Sequence, residues 1–218
     1  MQNFRLFADQ YEGNPEPNLA EYAHAGHVFY AHKATEGVAH VDAAHIRRAR
    51  HAHEQGLTVM HYHFCRPDQR DPVREMRQFW NVSRLSWLPG DFVALDFEPE
   101  SGHDANLWTP GYLESVWDHL HATTTEGARV YGSTSFLAGH AREVWLRKRP
   151  VWAAQYGNDP GSGSWGRHWW AWQRSDGAVG PEPHTLAGIG VCDVSQLNMV
   201  TALALAVRAR RRRWRRHN

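Results

Sequence analysis

Eight short apolar runs, separated by helix patterns or turn signals, constrain what this chain can fold into more than any other feature. They fall at 4–9, 27–33, 57–64, 91–98, 129–133, 151–156, 169–174 and 189–194. Runs of this length bounded by Gly, Pro or polar clusters read as strands. Between them lie helix patterns at 42–55, 71–86, 110 to about 126 and 138–148, and an amphipathic one begins near Met199. Gly56 offers a C-terminal stop for the first helix, and Pro72 stands in the first turn of the second, where its missing N–H costs nothing. Strands alternating with helices predict a largely parallel sheet with crossover helices. Eight strands in 218 residues predict one α/β domain closed into an irregular TIM-like barrel of eight strands with about five helices. The last three connections are too short for full helices, so the irregularity is expected at the C-terminal end.

Charge divides the chain in two. The formal net charge is +1, yet 208–218 holds seven Arg and no acid. Without those seven, the body carries 17 basic against 23 acidic residues, a net of −6. The expected division is therefore a barrel over 1–207 and a basic tail over 208–218. Cys65 and Cys192 are too few for a disulfide framework and sit in apolar runs, so buried free thiols are expected. The 11 Trp suit stacking on flat ligands such as sugar rings, or simply an aromatic core. The first residues read neither as a signal peptide nor as an anchor.

The chemistry points to carboxylates. In Leu95-Asp96-Phe97-Glu98 the strand alternation sends Asp96 and Glu98 to one side. Two acids this close repel when both are charged, so one holds its proton near neutral pH. Glycosidic cleavage uses such a pair: an acid for the leaving oxygen and a carboxylate to support the anomeric carbon. Asp9 ends the first run, and Asp193 lies near the end of the eighth. Closure of a barrel brings those runs side by side, so four acids are expected at one mouth.

Several segments, in order, resemble glycoside hydrolase family 25, the Chalaropsis-type lysozymes found among phage endolysins. They are Lys33-Ala34-Thr35-Glu36-Gly37, Tyr62-His63-Phe64 with Arg66-Pro67, Leu95-Asp96-Phe97-Glu98, Tyr131-Gly132-Ser133, Trp152-Ala153-Ala154-Gln155-Tyr156, Trp172-Gln173 and Cys192-Asp193. The resemblance implies cleavage of the β-1,4 bond between N-acetylmuramic acid and N-acetylglucosamine, without a cofactor. It implies Glu98 as general acid, Asp96 as its partner, Asp9 and Asp193 as flanking acids, and Tyr62 and Tyr131 as lining residues. Trp152, Gln155, Tyr156 and Trp172 are expected to shape the sugar groove. Where the family's opening Asp is usually followed by a Val-Ser-x-Trp-Gln stretch, Asp9 is followed by Gln10-Tyr11-Glu12-Gly13. Bacterial peptidoglycan is the expected partner, a monomer the expected state, and the host cytoplasm before release to the wall the expected location.

Rival chemistries are open to the same residues. His61-x-His63 puts two imidazoles on one strand face, as in some metallohydrolases. Cys65 lacks the helix N-terminus or base that would activate it. A wall-binding module that kept the barrel and lost turnover is the alternative outside enzymes. The Arg tail, with Trp214 among the arginines, suits an anionic wall polymer or membrane surface, whereas nucleic acid would be bound without specificity.

Overall fold

A computed structural model describes residues 3–99, 104–123, 128–147, 149–161 and 168–217. Eight strands form the barrel wall: β1 (Leu6–Gln10), β2 (Phe29–Glu36), β3 (Thr58–Phe64), β4 (Phe92–Asp96), β5 (Arg129–Ser133), β6 (Val151–Ala154), β7 (Ala171–Ser175) and β8 (Asp193–Leu197). Each pairs with its neighbour in chain order, and β1 joins both β2 and β8, which closes the sheet. The six successive pairings from β1–β2 to β6–β7 are parallel. The last strand breaks the pattern, running antiparallel to both β7 and β1.

That reversal corrects the sequence expectation for the last strand. The run at 189–194 divides into a two-residue hairpin arm, Gly190–Val191 against Thr185–Leu186, and the start of β8. Asp193 is therefore the first residue of its strand, not one near its end. It still reaches the mouth, because an antiparallel strand begins where its parallel neighbours finish. Asp9 and Asp193 stand directly opposite one another across the β1–β8 ladder.

Among the described residues seven α-helical segments surround the wall: α1 (Leu19–His24), α2 (His45–Glu54), α3 (Pro72–Ser83), α4 (Pro110–Thr123), α5 (Thr134–Gly139), α6 (Val144–Arg147) and α7 (Met199–His217). Asp71 caps α3 by accepting from the Arg74 N–H, just before Pro72. The single helix expected over 138–148 is two short ones. Ser133 accepts from the Phe136 N–H and starts α5 earlier, and turns at His140 separate it from α6. The six-residue α1, capped by Asn18, shows no pattern long enough to read in the sequence. The expected end of α4 near Glu126 and part of the Gly/Ser-rich loop at 157–166 lie outside the described residues.

Strand alternation sorts the side chains into layers. Phe7, Ala31, Met60, Ala94, Tyr131, Trp152 and Ala171 point inward and fill the lower barrel, with Leu205 and Ala209 of α7 closing that end. Val93, Leu95 and Phe97 point outward and pack against Leu113, Val116 and Trp117 of α4. A third cluster joins Tyr22 of α1 and Ala49 of α2 to the outer faces of β1, β2 and β3. With the lower interior sealed by apolar packing, polar inward positions are left at the strand ends opposite α7.

Candidate active site

The four acids converge. Asp9, Asp96, Glu98 and Asp193 line one cleft of about 200 Å³ together with Tyr11, Lys33, Tyr62, Phe64, Tyr131, Trp152 and Gln173. Asp96 closes β4, beside Phe64 on one neighbouring strand and Tyr131 on the other. Phe97 turns outward into the apolar layer, and Glu98 follows beyond the strand, half-buried. Gly132 permits this arrangement, because a Cβ there would meet the Phe97 carbonyl oxygen at 3.1 Å and the Phe136 ring at 3.3 Å.

Burial sets the electrostatics. Asp96 is 6% exposed, and its Oδ1 has no hydrogen-bond partner among the described residues. That burial, then the charges of Glu98 and Asp9, pushes its carboxyl well above the usual range, while nearby Lys33 opposes the shift. Asp9 is raised by burial, then by Asp193 and Glu98, against a hydrogen bond from Gln173. Burial, then the charges of Asp176 and Glu98, lifts Asp193 to about 6. Lys33 is the cation of the cleft: its Nζ donates to Glu36 at 3.0 Å and lies 5.0 Å from the Tyr11 ring centre.

Gln173 organises the other half. Its Nε2 donates to Asp9 Oδ2 at 3.2 Å and Asp193 Oδ2 at 3.4 Å. Its Oε1 accepts from the Tyr131 hydroxyl at 2.8 Å and the Tyr156 hydroxyl at 3.0 Å. The opposite amide orientation would set Oε1 against two carboxylates, so the chemistry agrees with the assignment. Burial first, then the acids, raises both phenols, which keeps them neutral donors. Tyr62 donates to the Gln10 carbonyl at 3.3 Å, and Trp152 Nε1 to Ser195 Oγ at 3.0 Å.

Seven of the ten expected site residues line the cleft: the four acids, Tyr62, Tyr131 and Trp152. Tyr156 joins at the rim through Gln173. Trp172 and Gln155 do not line it. Trp172 points outward, is buried against Trp169, and donates from Nε1 to the Gln155 carbonyl at 2.7 Å. The Gln155 side chain instead bonds the Asn158 carbonyl. Parity explains the difference, since Ala171 and Gln173 face in and Trp172 must face out. Much of the Trp content described is core: Trp117, Trp169, Trp170 and Trp172 are all buried outside this cleft. Gln173, Lys33, Tyr11 and Phe64 were missed as site residues. Lys33, Phe64 and Gln173 each sit two residues along a strand from an inward apolar position, a signal alternation could have supplied.

The cleft continues past Glu98. A smaller depression lined by Cys65, Pro67, Glu98, Leu107 and Trp108 adjoins it, and a shallower cavity of about 390 Å³ shares Pro67 and Leu107. The result is a groove with Glu98 between its two arms.

The histidines lie elsewhere. His61 and His63 sit on the outer face of β3, buried under α2 and α3. His61 Nδ1 is 2.9 Å from His45 Nε2, and His63 Nε2 is 3.0 Å from Glu75 Oε1. His63, Cys65 and Glu75 place ligand atoms within 4.8 Å of one another. Glu75 already accepts from the Arg66 N–H and the Tyr112 hydroxyl, and His63 Nδ1 bonds Thr35. His63 and Glu75 thus have their hydrogen-bond partners behind the wall, while Cys65 also borders the depression beside Glu98.

The family model for glycosyl hydrolases family 25 matches residues 8–182. The chain belongs to that family. It is a glycoside hydrolase, and Asp9, Asp96 and Glu98 lie within the matched segment. Asp193 lies beyond it and enters the site through the β1–β8 ladder. The bacterial lysozyme from Streptomyces coelicolor superposes with a TM-score of 0.78 at 23% identity, covering 93% of this chain and 96% of that one. The muramidase from Acremonium alcalophilum gives 0.78 at 21% identity, covering 93% and 98%. The catalytic domain of the endolysin ply40, from bacteriophage P40 of Listeria monocytogenes, gives 0.69 at 18%, covering 93% and 97%. At these identities the likeness speaks for the fold of this family 25 hydrolase. A comparison with curated protein sequences returned no significant match.

Proposed function

We propose that this hydrolase is a muramidase, cleaving the β-1,4 bond between N-acetylmuramic acid and N-acetylglucosamine in bacterial peptidoglycan. The observation that carries the reading is Asp96 Oδ1, buried in the cleft beside Glu98 without a hydrogen-bond partner among the described residues. A buried oxygen left unpaired is costly unless a ligand completes it. In this reading Glu98, set between the two arms of the groove, protonates the leaving glycosidic oxygen. Asp96, in its ionised form, supports positive charge at the anomeric carbon, either as nucleophile or by orienting the 2-acetamido group for internal attack. Asp9 and Asp193, held by Gln173, position water or sugar hydroxyls. Tyr62 and Trp152 give the floor an aromatic surface for a pyranose ring.

An open groove suits a polymer bound across the scissile bond, and lysozyme and endolysin relatives of like fold support a wall polymer as that substrate. The phage endolysin of like fold favours a role as an endolysin, and storage in the host cytoplasm before release to the wall belongs to the same proposal. Purified peptidoglycan digested with wild type and Glu98→Gln tests the reading, with new reducing ends identified by mass spectrometry. Muramic-acid ends, largely lost in the variant, are expected. Glucosamine ends would mean the wrong bond. A folded wild type that binds several wall types and cleaves none would mean a binding module.

A further inference from the structure

The helix α7 has two unlike faces. Ala202, Leu205 and Ala209 are buried against the lower end of the barrel. Arg208 folds back beneath them, its Nη1 donating to the Gly90 carbonyl at 3.0 Å and its Nη2 to the Pro89 carbonyl at 2.7 Å. The opposite face carries Val200, Leu203 and Val207, which are 80%, 52% and 52% exposed. At 3.6 residues per turn these three fall within an arc of about 60°, away from the buried row. Arg210 and Arg211, both exposed, continue that face. The helix runs on to His217, so the arginine-rich segment is carried on a helix. It contains seven Arg and no acid from Arg208 onward.

The combination decides between partners. A polyanion such as nucleic acid or a phosphate-rich wall polymer is held by cations alone and gains nothing from exposed valine and leucine. A lipid surface rewards both, since cations meet the headgroups while the apolar row enters the acyl boundary. No helix among the described residues is long and apolar enough to cross a membrane, so such a contact lies in the plane of the interface.

We propose that the outer face of α7 docks this hydrolase on an anionic lipid bilayer. The fold gives the docked molecule a direction. α7 covers the barrel end where β2 and β4 begin, and Asp9 and Asp96 stand at the other end. The catalytic cleft therefore opens away from the bilayer, toward a polymer lying beyond it. The net −6 of the remaining chain favours the same orientation.

The test is co-sedimentation of the full chain with vesicles of phosphatidylglycerol and phosphatidylethanolamine, against vesicles of phosphatidylcholine. Binding is expected to the anionic vesicles and to fall about tenfold or more in Leu203→Ser with Val207→Ser. Arg210→Glu with Arg211→Glu should weaken it similarly, and more so at low salt. Polyphosphate binding is expected to survive the serine pair and to fall in the glutamate pair. Unchanged thermal unfolding shows that the variants fold, which their exposure favours. Anionic-vesicle binding that ignores the serine pair, or polyphosphate binding with no vesicle binding, would overturn the proposal. Neither measurement reads turnover, so the result is independent of the muramidase reading.

Discussion

The side-chain amide of Gln173 donates to Asp9 at 3.2 Å while its carbonyl oxygen is held by the Tyr131 hydroxyl at 2.8 Å. One residue thus ties a carboxylate of the first strand to a phenol of the fifth, and its second contact reaches Asp193. Hydrogen bonds to charged groups are worth about 1.5–3 kcal/mol, so Gln173→Leu should cost about 10–100-fold in kcat. Tyr131→Phe should cost less, about tenfold or below, because Tyr156 still holds Oε1. Steady-state turnover on soluble wall fragments checks both. Equal losses in the two variants would mean that Gln173 does not organise the acids.

The acids make the site a source of instability at neutral pH. Asp193 has its carboxyl raised from the usual 3.8 to about 6, so between those values the folded chain holds the proton more tightly than the unfolded one. Stability from this group is complete below 3.8 and lost as pH rises through 6. Asp193→Asn removes that loss. Relative to wild type, its unfolding free energy should improve between pH 4 and pH 7 by up to about 3 kcal/mol. Denaturant unfolding at the two pH values measures it, and a difference that does not change with pH would refute the shift.

Asp96, Glu98 and Asp9 were legible because each stands at the end of a clear apolar run, where a parallel barrel gathers its functional groups. Asp193 was found by a motif while its strand was placed a few residues early. Val194-Ser195-Gln196-Leu197 alternates too weakly to reveal β8, and its reversal depends on closure with β1, a tertiary fact. Trp172 and Gln173 show the opposite failure. Size drew attention to the tryptophan, but parity turned it outward and gave the cleft the glutamine. The excess of histidine suggested chemistry on β3, whereas alternation there points Tyr62 into the barrel and His61 and His63 away from it.

Three buried histidines behind the wall, His32, His45 and His61, set the response to acid. His32 is buried, and that burial holds its imidazole down to about 3, against a hydrogen bond to the Lys33 carbonyl that favours the charge. The Arg48 guanidinium, 3.3 Å from Nε2, also keeps the ring neutral. The unfolded chain takes up the proton near 6.5 and the folded chain does not, so this stability is lost as pH falls below 6.5. At pH 5 the loss is about 2 kcal/mol from His32, and His45 and His61 act in the same direction. His32→Gln should therefore lose about 2 kcal/mol less than wild type between pH 7 and pH 5. Parallel slopes for the two proteins would show that His32 is not held neutral.

The thiols give a separate test of the chemistry. Burial, then the charges of Glu75 and Asp96, pushes the Cys65 thiol far above its usual range, and burial lifts Cys192 to about 12. Neither provides a thiolate near neutral pH, so both should resist iodoacetamide in the native protein and react on unfolding. Cys65 borders the groove beside Glu98, and it also belongs to the cluster with His63 and Glu75. Cys65→Ala should leave turnover within about twofold while costing about 1 kcal/mol of stability from the small cavity. Turnover should likewise persist in excess EDTA, since an acid pair activates the glycosidic bond by proton transfer. A sharp loss with chelator, restored by a divalent ion, would transfer the chemistry from Glu98 and Asp96 to a metal.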